Sequence, residues 1–317
     1  TPSASTTLTV TVNDQGNTGA DPGLSGDASS EEGSNSQTIN IAAVNDDPTN
    51  AGSLPSDITV TEDVSSNVDL SSINLSDVDH GGGNLTVTLT TSTGGNLSAV
   101  NGGGVTVGGS GSGTLTLSGT LADLNTYLDT ASNVQYLHGT AHLNGNDADT
   151  INVKVNDQGN TGSGGGSDID LGTVNVDISA VNDAPLNTVP GTQTVAEETA
   201  TAIGGISIAD VDAASGNLTT RLQVNNGVLN ITLSGAATIS AGSNASGDLT
   251  IQGTAADINA TLASLSYTGN TNVVGTAADT LTVTTNDGGN TGSGGAKQDV
   301  DTVQIDISTV NDAPVVQ

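Results

Sequence analysis

Three near-copies of one pentapeptide divide the chain: Val44-Asn45-Asp46-Asp47-Pro48, Val181-Asn182-Asp183-Ala184-Pro185 and Val310-Asn311-Asp312-Ala313-Pro314. Each copy closes a run with β-like alternation and ends on a proline, which has no N–H to continue a ladder. A second motif keeps step with the first. Residues 7–19 read TLTVTVNDQGNTG, residues 150–162 TINVKVNDQGNTG and residues 280–292 TLTVTTNDGGNTG. The copies recur about every 130 residues, far longer than a solenoid period and suited to one self-contained β-sandwich per repeat. The chain of 317 residues is therefore read as the end of one repeat (1–48) and two complete repeats (49–185 and 186–317).

Within a repeat the order of elements is legible. An alternating strand carrying acids comes first, ITVTEDV at 58–64 and TVAEET at 194–199. Leu75-Ser76-Asp77-Val78-Asp79 and Ile208-Ala209-Asp210-Val211-Asp212 follow, and then further alternating strands at 85–90, 218–224 and 228–233. Glycine-rich turns at 102–104 and 108–113 separate such runs. One helical piece interrupts them. Thr120 precedes Asp123 by three residues, as Thr254 precedes Asp257, a capping-box-like start. Leu121, Leu124 and Leu128, or Ile258 and Leu262, then share a helical face, and Tyr136 and Tyr267 come just after. The predicted fold is all-β, tandem sandwiches each with one short helix plugging an end.

Composition narrows the function. Thirty-four acids against three bases give a formal charge of −31, which argues against nucleic acid or an anionic membrane surface as partner. Such an imbalance points to divalent cations among clustered carboxylates. With no Cys, disulfides, zinc thiolates and thiol nucleophiles are all excluded. With no Met, Trp or Phe either, each core must be built from Val, Ile, Leu, Ala and Thr methyls. No apolar run reaches membrane length, and no stretch reads as a signal peptide. Thr1 starts in mid-pattern, as expected of a piece of a longer protein.

The chemistry rests on the paired acids. Asp-x-Asp in an extended segment puts two carboxylates on one side. They repel unless a cation lies between them, and hard oxygen ligands suit calcium. A lone Asp-x-Asp would be a solvated loop. Its recurrence as Asp77/Asp79 and Asp210/Asp212, beside the Asn-Asp hinge and the NDxGNTG loop, favours the metal. Nothing catalytic competes. His138 and His142 sit in LHGTAHLNGND with no Glu between them and read as polar loop residues, and His80 has no partner in sequence. There is no Gly-x-Ser-x-Gly elbow and no complete EF-hand loop, and the glycine run at 162–167 lacks GGxGxD spacing. The Asn-x-Ser/Thr sequons at Asn74, Asn84, Asn96, Asn217, Asn230, Asn244 and Asn259 are expected by chance in so Asn- and Thr-rich a chain. A non-enzymatic protein is expected.

Taken in order, the acidic first strand, Asp-x-Asp, LTVTTNDGG and VQIDISTVNDAP resemble the cadherin repeat. They look most similar to the bacterial cadherin-like extender units of large secreted RTX-type surface adhesins. The resemblance implies an Ig-like sandwich fold, domains joined end to end, and calcium at each junction. Carried over residue by residue, one junction would use Asn45, Asp46, Asp77, Asp79 and Asp157. The next would use Glu62, Asn182, Asp183, Asp210, Asp212 and Asp287. Glu197, Asn311 and Asp312 would serve a following repeat. The chain departs from the family in having Ala43, Ala180 and Thr309 where the hinge begins with an acid. It has Asp47, Ala184 and Ala313 where the hinge ends in Asn, and it lacks an Asp-Arg-Glu motif. Fewer ligands imply about one or two ions per junction, held at roughly 10⁻⁴–10⁻³ M. The implied function is a calcium-rigidified stalk on a bacterial cell surface, serving adhesion and biofilm formation, with neighbouring repeats as partners. The alternative is a self-assembling extracellular filament or surface-layer subunit whose partners are other copies of itself. A carbohydrate- or ice-binding module fits less well, for lack of exposed aromatics and short-period Thr repeats.

Overall fold

The computed structural model describes residues 4–13 and 32–311. Asp14–Gly19 of the first NDQGNTG copy, and Asp312 to Pro314 of the last hinge, lie outside the described residues. The described chain is all-β apart from two short helices. It falls into two compact units, of which the second includes Thr61–Asp63 and Ala141–Gly145 as well as the chain from Ile178 onward.

The same sandwich is built twice. In the first copy a six-stranded sheet runs in the order Asp57–Thr61, Ile169–Ser179, Gly145–Asn156, Asn84–Thr91, Thr114–Thr120 and Thr106–Gly108. A three-stranded sheet runs Ser66–Asn67, Val134–His138, Gly95–Ala99. In the second copy the orders are Gln193–Ala196, Gln298–Ser308, Gly275–Asn286, Leu218–Gln223, Asp248–Gly253, Thr238–Gly242 and Thr201–Ala202, Ser266–Gly269, Gly227–Asn230. The opening strand Gln193–Ala196 lies parallel to the closing strand, with Ala196 opposite Ser308. This register carries the next residue, Glu197, to the start of the hinge.

Period-two alternation makes the core. Leu85, Val87 and Leu89 are fully buried, and across the ladder Val87 meets Leu117 and Leu89 meets Leu115. Ile151, Val153 and Val155 join them from the neighbouring strand. Each such side chain contributes about 1.5–3 kcal/mol when fully buried. The second core departs from pure hydrocarbon. Thr220 and Thr285 replace Val87 and Val155 and are fully buried. Their hydroxyls lie 3.1 Å apart, and the Thr285 hydroxyl donates to Asn187 Oδ1 at 2.6 Å. A buried hydroxyl without a partner would destabilise the sheet, and these three side chains satisfy one another.

Both helices start where the capping pattern places them. α1 spans Leu121–Leu128 and α2 spans Ala255–Leu262, with Thr120 and Thr254 as N-caps. The Thr120 hydroxyl accepts from the Asp123 N–H at 3.2 Å and donates to its carboxylate at 2.7 Å. The buried stripe of α1 is Leu124, Tyr127 and Leu128. Leu121 is only half-buried, because Tyr127 turns inward and donates its hydroxyl to Val100 O at 2.7 Å. Thr120→Ala is expected to lower the stability of the first unit by about 1 kcal/mol, measured by urea denaturation, whereas Thr120→Ser should retain it. An unaffected midpoint in Thr120→Ala would mean that burial alone sets the helix start.

Candidate metal centre

Each helix reaches back to the acidic segment. Asn125 Oδ1 accepts from Leu75 N at 2.8 Å and its Nδ2 donates to Leu75 O at 3.0 Å. Asn259 grips Ile208 in the same way, at 2.8 and 2.9 Å. The helices therefore fix the backbone two residues ahead of Asp77 and Asp210. The NDxGNTG loops approach from the other side. Ser163 exchanges backbone hydrogen bonds with Ala43 and Asn45, and Ser293 does so with Ala180 and Asn182. The approach is so close that Gly162 and Gly292, at φ +90° and +83°, could carry no side chain: a Cβ would fall 2.7 Å from Asn45 N or 2.5 Å from Asn182 N.

These constraints gather one set of oxygens in each unit. In the first, Asn45 Nδ2 donates to Asp157 Oδ2 at 2.5 Å, Asp46 N to Asp79 Oδ2 at 3.2 Å, and Asp79 N to Asp77 Oδ1 at 3.0 Å. In the second, Asn182 Nδ2 donates to Asp287 Oδ2 at 2.6 Å, Asp183 N to Asp212 Oδ2 at 2.8 Å, and Asp212 N to Asp210 Oδ1 at 3.2 Å. Asn182, Asp157, Asp287, Asp77 and Asp79 are all buried. Among the described residues, six buried side-chain N/O atoms have no hydrogen-bond partner: Asn45 Oδ1, Asp77 Oδ2, Asp79 Oδ1, Asn182 Oδ1, Asp210 Oδ2 and Asp212 Oδ1. They form the same triplet at the same place in each unit. Every one is a hard oxygen acceptor, the donor class that suits calcium.

Electrostatics accord with that reading. Burial pushes the Asp77 carboxyl up, and the charges of Asp79 and Asp157 add to the shift. Asp210 is pushed up to about 6, first by burial and then by Asp212. Asp157 and Asp287 go the other way. Burial raises them, but donors from Gly159, Asn45 and Gly166, or from Asn182, Lys297 and Gly289, more than offset it and hold both below the ordinary carboxylate range.

The other predicted ligands are placed differently. Glu62 is buried at the first residue of the hinge, where Oε1 accepts from Val181 N at 2.6 Å and Oε2 from Asn144 Nδ2 at 3.0 Å. Glu197 holds Val310 N and Asn272 N in the same way, at 3.0 and 2.6 Å. Asn311 is exposed, and Asp312 lies outside the described residues. Asp183 turns its carboxylate to His142, whose Nδ1 lies 2.7 Å from Asp183 Oδ2 and 3.0 Å from Asp63 Oδ2. The hydrogen bond to Asp183 raises the His142 pKa, and the nearby charges of Asp63 and Glu62 add to it. Sequence reasoning missed Asp63 and His142, since this contact joins three segments far apart in the chain.

No family model matches the chain, and no curated protein sequence matches it. Among solved structures it is similar to the EC21-23 segment of human CDH23, at 13% identity and a TM-score of 0.32, over 82% of this chain and 69% of that one. It is also similar to mouse protocadherin-24 EC1-3 (13% identity, TM-score 0.33, 96% and 80% covered). PcdhgB3 EC1-4 is a further match (15% identity, TM-score 0.35, 96% of this chain and 58% of that one). The chain thus spans little more than half the length of the last. Likeness at this level assigns no residue a role.

Proposed function

We propose that this chain is a non-enzymatic, calcium-stiffened extender segment of an extracellular adhesion protein, of the kind carried on bacterial surfaces. The observation that supports this is the repeated triplet of buried oxygens without partners, drawn from the hinge Asn and the two acids of Asp-x-Asp. Asn45, Asp77, Asp79 and Asp157 would hold one ion, and Asn182, Asp210, Asp212 and Asp287 another. The ion supplies positive charge where buried carboxylates otherwise repel. Because one ligand sits on the hinge and the rest on the repeat that follows, a bound ion fixes the hinge to that repeat. Without it the carboxylates repel, and hydrogen bonds alone, such as those of Ser163 and Ser293, hold the hinge to that repeat.

Equilibrium dialysis and small-angle scattering of the whole chain test this. Calcium should bind with a dissociation constant of roughly 10⁻⁴–10⁻³ M, and the maximum dimension should be longer and better defined in millimolar calcium than in chelator. Identical scattering curves with no calcium retained would reject the reading.

A further inference from the structure

We propose that Asp63, His142 and Asp183 form a second metal site of different chemistry, taking a divalent first-row transition ion such as zinc. The proposal does not rest on the calcium reading, since Asp63 and His142 have no part in the oxygen triplets. Three donor atoms converge: His142 Nδ1 stands 3.0 Å from Asp63 Oδ2 and 2.7 Å from Asp183 Oδ2, and all three atoms lie within 4.8 Å of one another. Nδ1 can carry only one proton, yet two carboxylates are aimed at it. The cluster therefore has more electron pairs directed inward than protons to receive them. A metal ion in place of that proton serves all three donors at once.

The donor set selects the metal. Imidazole nitrogen is a poor ligand for calcium, which prefers oxygen alone, whereas one imidazole with two carboxylates suits zinc, nickel or copper. Zinc bonds of about 2.0–2.2 Å put tetrahedral donors about 3.3 Å apart. The two Nδ1–carboxylate separations would each need to widen by only about 0.3–0.6 Å to meet that. The side chains are between 30% and 43% exposed, so they can make that adjustment, and an ion can reach them.

The three segments are also held in place before any ion arrives. Asp63 Oδ1 accepts from His142 N at 3.0 Å, and Asp183 N donates to Asp212 Oδ2 at 2.8 Å. Glu62, next to Asp63, ties down Val181 N and Asn144. Supporting hydrogen bonds of this kind orient metal ligands and sharpen affinity. The fold does not require the histidine. In the second repeat Glu198 and Asn272 stand at the corresponding positions, with φ of +57° and +62° against +59° for Asp63 and +57° for His142. That repeat builds the same backbone without an imidazole, so architecture alone does not account for His142.

The test is a calorimetric titration of the whole chain with zinc chloride, once in millimolar calcium and once in calcium-free buffer. One zinc ion should bind in both. His142→Asn, which copies the residue present at 272, and Asp63→Asn should each weaken binding by at least about tenfold. His138→Asn, a change at a histidine outside the cluster, should bind as the parent does. Zinc affinity unchanged in His142→Asn and Asp63→Asn, or no saturable binding in the parent chain, would overturn the proposal. Zinc displaced fully by calcium would overturn it too, because the ion would then belong to the oxygen triplets. Failure of the calcium reading would leave the zinc result in calcium-free buffer intact, so the two outcomes are separable.

Discussion

Asp149→Ala is expected to lower the unfolding free energy of the first unit by about 3–5 kcal/mol. The carboxylate is almost fully buried. Its Oδ1 accepts from the N–H groups of Ser92, Thr93 and Thr150 and from the Ser92 hydroxyl, at 2.7–3.0 Å. Its Oδ2 accepts from Gly95 N at 3.1 Å and from the Tyr136 hydroxyl at 2.9 Å. Alanine would remove the acceptor of six donors. Those of Gly95 and Tyr136 belong to buried residues, while Ser92 and Thr93 are exposed and Ser92 N keeps a bond to Thr150 O. Asparagine should be nearly as harmful, because its amide places a donor against the donors of Gly95 and Tyr136. Burial alone would raise this carboxyl, but the bonds from Ser92, Thr150, Tyr136 and Thr93 outweigh it and hold the pKa far below the ordinary range. The sign follows. The folded pKa lies below the unfolded value of about 3.9, so the contribution is complete above that pH and is lost as pH falls toward the folded pKa. Hydrogen exchange of the strands Asn84–Thr91 and Gly95–Ala99, followed from neutral to acid pH, reads the effect. Protection unchanged in Asp149→Asn would show that the turn closes without the carboxylate.

Asp149 also shows where the sequence stops being legible. Its counterpart Asp279 binds Asn225 N, Asn226 N, Thr280 N and the Tyr267 hydroxyl in the second repeat. Both acids follow an Ala and precede a Thr at the head of a long strand, so the recurrence was there to be read. What could not be read is burial, which depends on a hairpin more than fifty residues earlier in the chain. The strands, the capped helices and the Asp-x-Asp segments rest on local signals: alternation, an N-cap spacing and a repeated motif. Each of these survives without knowledge of the fold. The oxygen triplets were half visible, since the residues were named but their arrangement needed Asn125 and Asn259 to grip Leu75 and Ile208. The Asp63, His142 and Asp183 cluster was not visible at all. The second repeat replaces two of its members, so repetition gave no cue, and only the folded hinge brings the three together.

Asp210→Asn should change the sign of its effect with calcium. In chelator the variant should be more stable than the parent at neutral pH. Burial and the neighbouring Asp212 push the Asp210 pKa up to about 6, above the unfolded value of about 3.9. The native state then holds a proton more tightly than the unfolded chain does. Stability of the calcium-free parent therefore falls as pH rises through the window from about 4 to about 6. Asparagine removes the charge that causes this fall. Its Oδ1 can still accept from Asp212 N and Ala213 N, the bonds that Asp210 Oδ1 makes at 3.2 and 3.1 Å. Its amide takes the place of Oδ2, which has no partner to lose. In calcium the order should reverse, because the parent gains binding energy that the variant cannot match. That gain is about 1.4 kcal/mol at ten times the dissociation constant and about 2.7 kcal/mol at a hundred times. Urea denaturation of both proteins, with and without calcium, gives the four numbers needed. Asp77, raised by the same causes, repeats the experiment in the first unit. If Asp210→Asn and Asp77→Asn destabilise equally in chelator and in calcium, the carboxylates are structural acceptors and no cation is needed to explain them. If both show the reversal, the repulsion in the calcium-free hinge is the force that the ion relieves.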